Sequence, residues 1–207
     1  MDKDIKDVLQ HDRVLAQLLE KLELKPLPVT KDIYLDMLEN IVSQQLSGKV
    51  AKVIFNRFLQ LFPNGYPNPN LLLKLDNSKL RDVGLSGAKT TYVKAMAEFA
   101  ANHDLNVDSI QKLTDDDVIK LLTQVKGVGV WTAQMLLIFS LGRNDVFPVD
   151  DLAIRQGMTE LYGLKSTGWQ LRQELIEIAQ KWSPCRTWGT RLIWAYVNSK
   201  KQNAARV

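Results

Sequence analysis

Residues 121–151 read Leu121-Leu122-Thr123-Gln124-Val125-Lys126-Gly127-Val128-Gly129-Val130-Trp131-Thr132-Ala133-Gln134-Met135-Leu136-Leu137-Ile138-Phe139-Ser140-Leu141, then a short loop and Phe147-Pro148-Val149-Asp150-Asp151. An apolar helix, a Lys126-Gly127-Val128-Gly129 hairpin and a second helix from Trp131 follow one another, and two acids come one loop later. Glycine at 127 and 129 allows backbone angles that a β-carbon forbids, so the chain can reverse tightly and bring its amides up to a ligand. Thr132 and Ala133 then fall in the first turn of the new helix. N–H groups without helical acceptors, together with the helix dipole, favour an anion such as a phosphate oxygen there. By itself a Gly-x-Gly pair fits an ordinary turn between helices equally well.

Outward from this stretch, helical periodicity runs almost throughout and alternating strand patterns are hard to find, so the class is all-α with roughly ten helices. The spacing of apolar residues predicts helices over 4–22, 31–44 and 47–61, with Gln45-Leu46 at the bend between the last two. Two prolines in 24–29 break the first pattern, and three prolines, two asparagines and a glycine make 63–69 a loop. Shorter helices fit 70–75 and 77–83, and longer ones 88–102, 115–124, 151–162, 168–182 and 186–199. Thr114 reads as the N-cap of the helix that enters the hairpin, with Asp117 as a shorter stand-in for the usual Glu or Gln of a capping box. The core splits into two lobes of one 207-residue unit: about 40–150, carrying the hairpin motif at 115–141, and 1–39 with 151–207.

The net charge is +4 and the pI about 9.1, which permits an acidic partner without demanding one. Distribution says more. Residues 43–60 hold Lys49, Lys52 and Arg57 and no acid, and residues 182–207 hold Arg186, Arg191, Lys200, Lys201 and Arg206 and no acid. Solvated helix faces and a basic tail account for such runs as well as a polyanion does. The single Cys185 excludes an intrachain disulfide and any cluster held by four thiolates, and with only His11 and His103 beside it a zinc site is not expected. No apolar run reaches about 18 residues and the N-terminus lacks a signal-peptide pattern, so a soluble intracellular protein that does not enter membranes is expected.

Taken together, Lys126 to Ala133 and Val146-Phe147-Pro148-Val149-Asp150-Asp151 resemble the helix-hairpin-helix DNA glycosylase superfamily, most closely its DNA-3-methyladenine glycosylase II branch. The likeness runs from about Glu39 to Val197 and includes a late tryptophan, Trp194. It implies a two-lobed all-α fold with the active-site cleft between the lobes. It also implies a base-excision repair enzyme that removes alkylated purines, 3-methyladenine and 7-methylguanine first, from double-stranded DNA. Only about 38 residues precede the matching core, so the likeness is to a compact form without an N-terminal β domain. The chain reads as a monomer, cytoplasmic if bacterial and nuclear if eukaryotic. The rival reading is a helix-hairpin-helix module that binds DNA through phosphates without catalysis.

Residue by residue, the resemblance assigns Asp151 as the catalytic carboxylate and Asp150 as a helix cap, although two acids after a proline also fit capping alone. Breaking an N-glycosidic bond builds positive charge on the sugar, and a buried carboxylate stabilises that charge most in the transition state. A helix over 131–141 is roughly 16 Å long, and 142–149 can span about 25 Å, so the chain can return Asp151 to the hairpin end. Bifunctional relatives carry a lysine that attacks the sugar at or near position 131. Trp131 cannot, so hydrolysis without strand cleavage is expected.

Removing a base from a duplex requires flipping it out, and a side chain must fill the gap. The likeness places Leu46 in that role with Gln45 touching neighbouring bases, although a leucine joining two helices is also an ordinary core residue. Gly127, Gly129, Thr132, Lys126 and Lys49 would hold phosphates. A cationic alkylated purine stacks well on aromatic faces, and Trp131, Trp194 and Met135, with Trp188 as a weaker choice, match pocket positions; for any one tryptophan taken alone, core packing is the better explanation. Met135 and Ala195 stand where the close relative has aromatics, which widens the pocket. No organic cofactor is implied. The carbonyls of Thr123, Val125 and Val128 match a site for a monovalent cation, sodium or potassium.

Overall fold

In a computed structural model the described residues, 2–27 and 29–204, are helical throughout with short connections. Pro28 of the proline break and Arg206 of the basic C-terminal segment lie outside them. Among the described residues no helix is long and apolar enough to cross a membrane. The chain forms two compact units, Val29–Leu141 and Met1–Pro28 with Gly142–Val207.

The middle unit contains α3 (Ile33–Ser43), α4 (Gly48–Leu59), α5 (Pro69–Lys74), α6 (Asn77–Asp82), α7 (Gly87–Asn102), α8 (Val107–Gln111), α9 (Asp115–Leu122) and α10 (Val130–Phe139). Helix α3 packs against α4, α7 and α10, and α5 packs on α7. Ile33, Met37, Leu38 and Ile41 of α3 are fully or almost fully buried, as are Phe58, Leu72, Val93 and Met96 around it. This burial moves the expected boundary. Residues 29–39 belong to the middle unit because α3 fills its core, and the Thr30 N–H donates to the Ser140 carbonyl at 2.6 Å.

The other unit holds α1 (Lys3–Gln10), α2 (Arg13–Lys21), α11 (Leu152–Leu161), α12 (Gly168–Gln180) and α13 (Arg186–Ala204). The single helix expected over 4–22 is broken at Asp12. One carboxylate oxygen of Asp12 accepts the N–H groups of Val14 and Leu15, capping α2. The other accepts Tyr162 Oη–H at 2.8 Å and Trp182 Nε1–H at 2.9 Å. A polar residue with partners 150 and 170 positions away overrides the local apolar period, and Leu9, Leu15 and the fully buried Trp182 close over it in one core. Where α11 meets α13 the helices approach closely: a β-carbon on Gly157 would lie 2.7 Å from Ile193 Cγ2.

Helix α8 was not expected; five residues between two turns carry too little periodicity to show. Thr114 caps α9 as expected, accepting the Asp117 N–H at 3.1 Å, and its hydroxyl donates to the Asp117 carboxylate at 2.7 Å.

Candidate DNA-binding and catalytic residues

In the middle unit the chain leaves α9 at Leu122, turns through residues 123–129 and enters α10 at Val130. The two glycines act differently. Gly127 has φ +91°, and a β-carbon there would sit 2.2 to 2.5 Å from the Tyr92 ring, so only glycine fits. Gly129 has φ −96° and ψ 175°, which any residue adopts, and a β-carbon would meet nothing within 4 Å. The expectation that both glycines serve the backbone turn is thus corrected for Gly129, whose missing side chain leaves open space before the helix.

Gly129 also caps α10 without a side chain, and no acid stands in the first turn, so the helix's own residues do not offset the positive end of its dipole. The Ala133 N–H donates to the Gly129 carbonyl at 3.1 Å and is not available to an anion, contrary to expectation. The Thr132 side chain is buried, so any anion contact there uses its backbone. Lys126 is exposed, and so are Lys49, Lys52 and Arg57 along α4. Trp131 is 43% exposed, whereas Met135 is buried.

The bend between α3 and α4 lies beside α10. Asn40, Ser43, Gln44, Gln45, Leu46, Trp131 and Thr132 line a cavity of about 470 Å³. Gln45 is exposed with φ +58°, and Leu46 is half-buried. Two residues that the sequence did not flag hold this bend. Gln44 Nε2 donates to the Gly127 carbonyl at 3.1 Å, and Lys89 Nζ donates to the Val42 and Gln44 carbonyls at 2.7 Å each. Burial pushes the Lys89 ammonium below its ordinary value. Lys89 is 45 residues from its nearer partner, so spacing could not have revealed it; Gln44 adjoins the flagged pair.

In the other unit Asp151 is the N-cap of α11. Its Oδ1 accepts the Ile154 N–H at 3.0 Å and the Trp194 Nε1–H at 3.0 Å, so a helix start and an indole together fix the carboxylate. The cap assigned to Asp150 therefore belongs to Asp151. Asp150 is exposed and pairs with Arg172, Nε to Oδ1 at 3.1 Å. Trp188 is a core residue and not an open aromatic face: it is buried, its Nε1 donates to Asn144 Oδ1 at 3.0 Å, and the Arg191 guanidinium lies 4.8 Å over its ring.

The segment leading to Asp151 is stapled to the first turn of α13, which is why residues 142–150 join this unit. The Thr187 N–H donates to the Asn144 carbonyl at 2.9 Å, and the Thr187 hydroxyl both donates to the Arg143 carbonyl and accepts the Val146 N–H. Asp145 takes Arg186 Nε at 2.8 Å, Nη2 at 2.9 Å and the Arg186 backbone N–H at 3.1 Å. Trp194 follows eight residues later on the same helix, about 12 Å along its axis. One rigid helix thus sets both the loop and the carboxylate.

Burial by itself would raise the Asp145 carboxyl, but the Arg186 hydrogen bonds and charge and the Ser183 hydroxyl outweigh it and hold the group below its ordinary value. A depressed carboxylate stabilises the fold above its unfolded pKa, and that contribution is lost as pH falls through the folded one. Asp145→Asn is expected to cost about 1 kcal/mol near neutrality, discounted for partial exposure of the pair. The difference from wild type, followed by urea melts against pH, is expected to close below about pH 4.

Comparison with known proteins bears on both units. Residues 38–185 match the model of the HhH-GPD superfamily base excision DNA repair protein. DNA-3-methyladenine glycosylase 1 of Schizosaccharomyces pombe is 35% identical over 166 residues, 79% of this chain and 72% of that protein. The structure of Schizosaccharomyces pombe 3-methyladenine DNA glycosylase Mag1 in complex with abasic DNA superposes with a TM-score of 0.81 at 31% identity, covering 93% of this chain and 95% of the other. DNA-3-methyladenine glycosidase from Bacillus halodurans gives a TM-score of 0.83 at 29% identity, covering 97% and 92%. The chain belongs to the HhH-GPD superfamily of base excision DNA repair proteins.

Proposed function

We propose that this protein is a monofunctional DNA glycosylase that hydrolyses the N-glycosidic bond of alkylated purines in double-stranded DNA. The observation that carries the reading is the Asp151 carboxylate, fixed by Ile154 N–H and Trp194 Nε1–H in a chain whose relatives are named 3-methyladenine glycosylases.

The chemistry follows from charge. As the bond between C1′ of deoxyribose and the purine nitrogen breaks, its electron pair leaves with the base and positive charge builds on the sugar. A preoriented carboxylate facing the sugar stabilises that charge more than it stabilises the ground state, in which the sugar is uncharged. Water then adds at C1′ and loses a proton, which Asp151 is suited to accept, leaving a free base and an abasic site. An alkylated purine is already cationic and leaves readily, so no strong general acid is needed. Trp131 offers an exposed aromatic face for such a cation. Its indole cannot form a Schiff base with the sugar, so the reaction stops at the abasic site.

DNA would be held by the α10 amides beyond Gly127 and Gly129, by Lys126, and by Lys49 with its neighbours on α4, while Leu46 fills the gap left by the flipped nucleotide and Gln45 touches the bases beside it. The carbonyls of Thr123, Val125 and Val128 are hard oxygen donors suited to an alkali cation. The Thr123 hydroxyl donates to the Ile119 carbonyl at 2.7 Å, and the Val125 carbonyl accepts the Val128 N–H at 3.0 Å, which leaves it one further lone pair for a cation. A bound cation there would add positive charge beside a phosphate. An enzyme of this kind works where chromosomal DNA is, inside the cell.

The test is incubation of the protein with methylated duplex DNA. Expected are release of free 3-methyladenine and 7-methylguanine, strands that stay intact until alkali is added, and no adduct trapped by borohydride. A trapped adduct would refute the monofunctional reading. DNA binding without release of any alkylated base would favour a non-catalytic module.

A further inference from the structure

The bend that carries Leu46 is a tight turn with an unfavourable residue in it. Gln44 has φ −48° and ψ 130°, Gln45 has φ +58°, and the Leu46 N–H donates to the Ser43 carbonyl at 3.1 Å, which together define a type II turn. A type II turn calls for glycine or asparagine at its third position, because a β-carbon is disfavoured at positive φ. Here the third position is Gln45. The same four residues would be more comfortable as a type I turn, in which the peptide between Gln44 and Gln45 is flipped and the Gln44 carbonyl points to the opposite side.

Lys89 opposes that flip. It donates to the Gln44 carbonyl, the group whose direction distinguishes the two turn types, and to Val42 at the C-terminal end of α3. Its own location argues for a role outside its helix. It lies in the first turn of α7, where a cation is disfavoured by the helix dipole, and it reaches the carbonyl end of α3, where a cation is favoured. The side chain of Gln44 ties the same turn to the Gly127 carbonyl of the hairpin.

We infer that Lys89 is a positioning residue for base flipping: by gripping the Val42 and Gln44 carbonyls it holds the 43–46 turn in its type II form and so presents Leu46 to the duplex. The inference rests on the glycosylase reading and on Leu46 as the gap-filling side chain. It concerns the opening of the duplex and not bond cleavage, so its signature is dependence on how firmly the lesion is paired.

Single-turnover base release would be measured on duplexes carrying one 7-methylguanine opposite cytosine or mismatched with thymine. Lys89→Met is expected to slow release from the cytosine duplex about tenfold and from the mismatch less than about threefold, since a mismatched base is already partly unpaired. Adding Gln45→Gly is expected to recover at least half of the loss caused by Lys89→Met, measured against Gln45→Gly by itself, because glycine takes φ +58° unaided. A fold that is merely destabilised would lose release on both duplexes alike and recover on both, whereas the recovery expected here is confined to the cytosine duplex. If Lys89→Met does not stay folded, Gln44→Met, which removes only the link to Gly127, is expected to show the same pairing dependence at about threefold.

Leu46→Ala separates the assumptions. If Leu46→Ala discriminates the two duplexes and Lys89→Met slows both equally or neither, the positioning role is overturned while the glycosylase reading stands. Equal loss on both duplexes for Leu46→Ala overturns the gap-filling role, and the inference with it. No release by the wild-type protein defeats the underlying function.

Discussion

Asp151→Asn is expected to lower single-turnover base release from methylated DNA by at least about a hundredfold, the scale of removing one preoriented electrostatic partner of a transition state. The substitution is informative because it spares the structure. Asparagine caps a helix as well as aspartate, and its amide oxygen can still accept from Ile154 N–H and Trp194 Nε1–H, the two bonds made by Oδ1. The melting temperature is therefore expected to stay within about 2 °C of wild type. Asp151→Ala removes the cap as well and is expected to cost about 1 kcal/mol of stability in addition to activity. A variant Asp151→Asn that releases bases at the wild-type rate would remove Asp151 from the mechanism and send the search to another acid.

Gly127→Ala is expected to have the largest effect on stability. Its methyl group would be placed within 2.5 Å of three Tyr92 ring atoms at φ +91°, so overlap and backbone strain act together. A loss of about 3–4 kcal/mol follows, or roughly a 10 °C fall in melting temperature. The clash is with the root of a ring and not with a flexible end, which leaves little room for relief. Gly129→Ala is the contrasting case. Ordinary backbone angles and open space predict unchanged stability, whereas on the proposed reading affinity for duplex DNA is expected to fall by about tenfold, because the methyl group would stand where a phosphate is proposed to approach. Thermal melts and binding titrations on both variants separate the glycine that shapes the turn from the one that leaves room for the ligand. Equal destabilisation of both would refute the distinction.

The particular residues explain how much of this was legible in the chain. The hairpin, the all-α class and the loop to the paired acids are local patterns, written in glycine placement and helical periodicity within about thirty residues. The choice between Asp150 and Asp151 as the helix cap was not local. It depends on Trp194 reaching back 43 positions to one of the two carboxylates. Trp188, read as a base-stacking candidate because it is a tryptophan in the right region, turned out to be occupied by Asn144 and Arg191. An indole N–H and a π face look the same in sequence whether they serve a core or a site.

By itself the sequence determined the secondary structure class, the family and the position of the hairpin, because each is encoded by neighbours along the chain, and its resemblance to the family proposed Asp151 as the acid. Tertiary structure alone decided that the first helix breaks at Asp12, that α13 fastens the approach to Asp151 through Asp145 and Thr187, and that Lys89 grips the turn beneath Leu46. Those decisions rest on buried and partly buried hydrogen bonds between groups 41 to 170 residues apart. Sequence spacing carries no trace of them, because a polar group's partner is chosen by which elements pack together and not by distance along the chain.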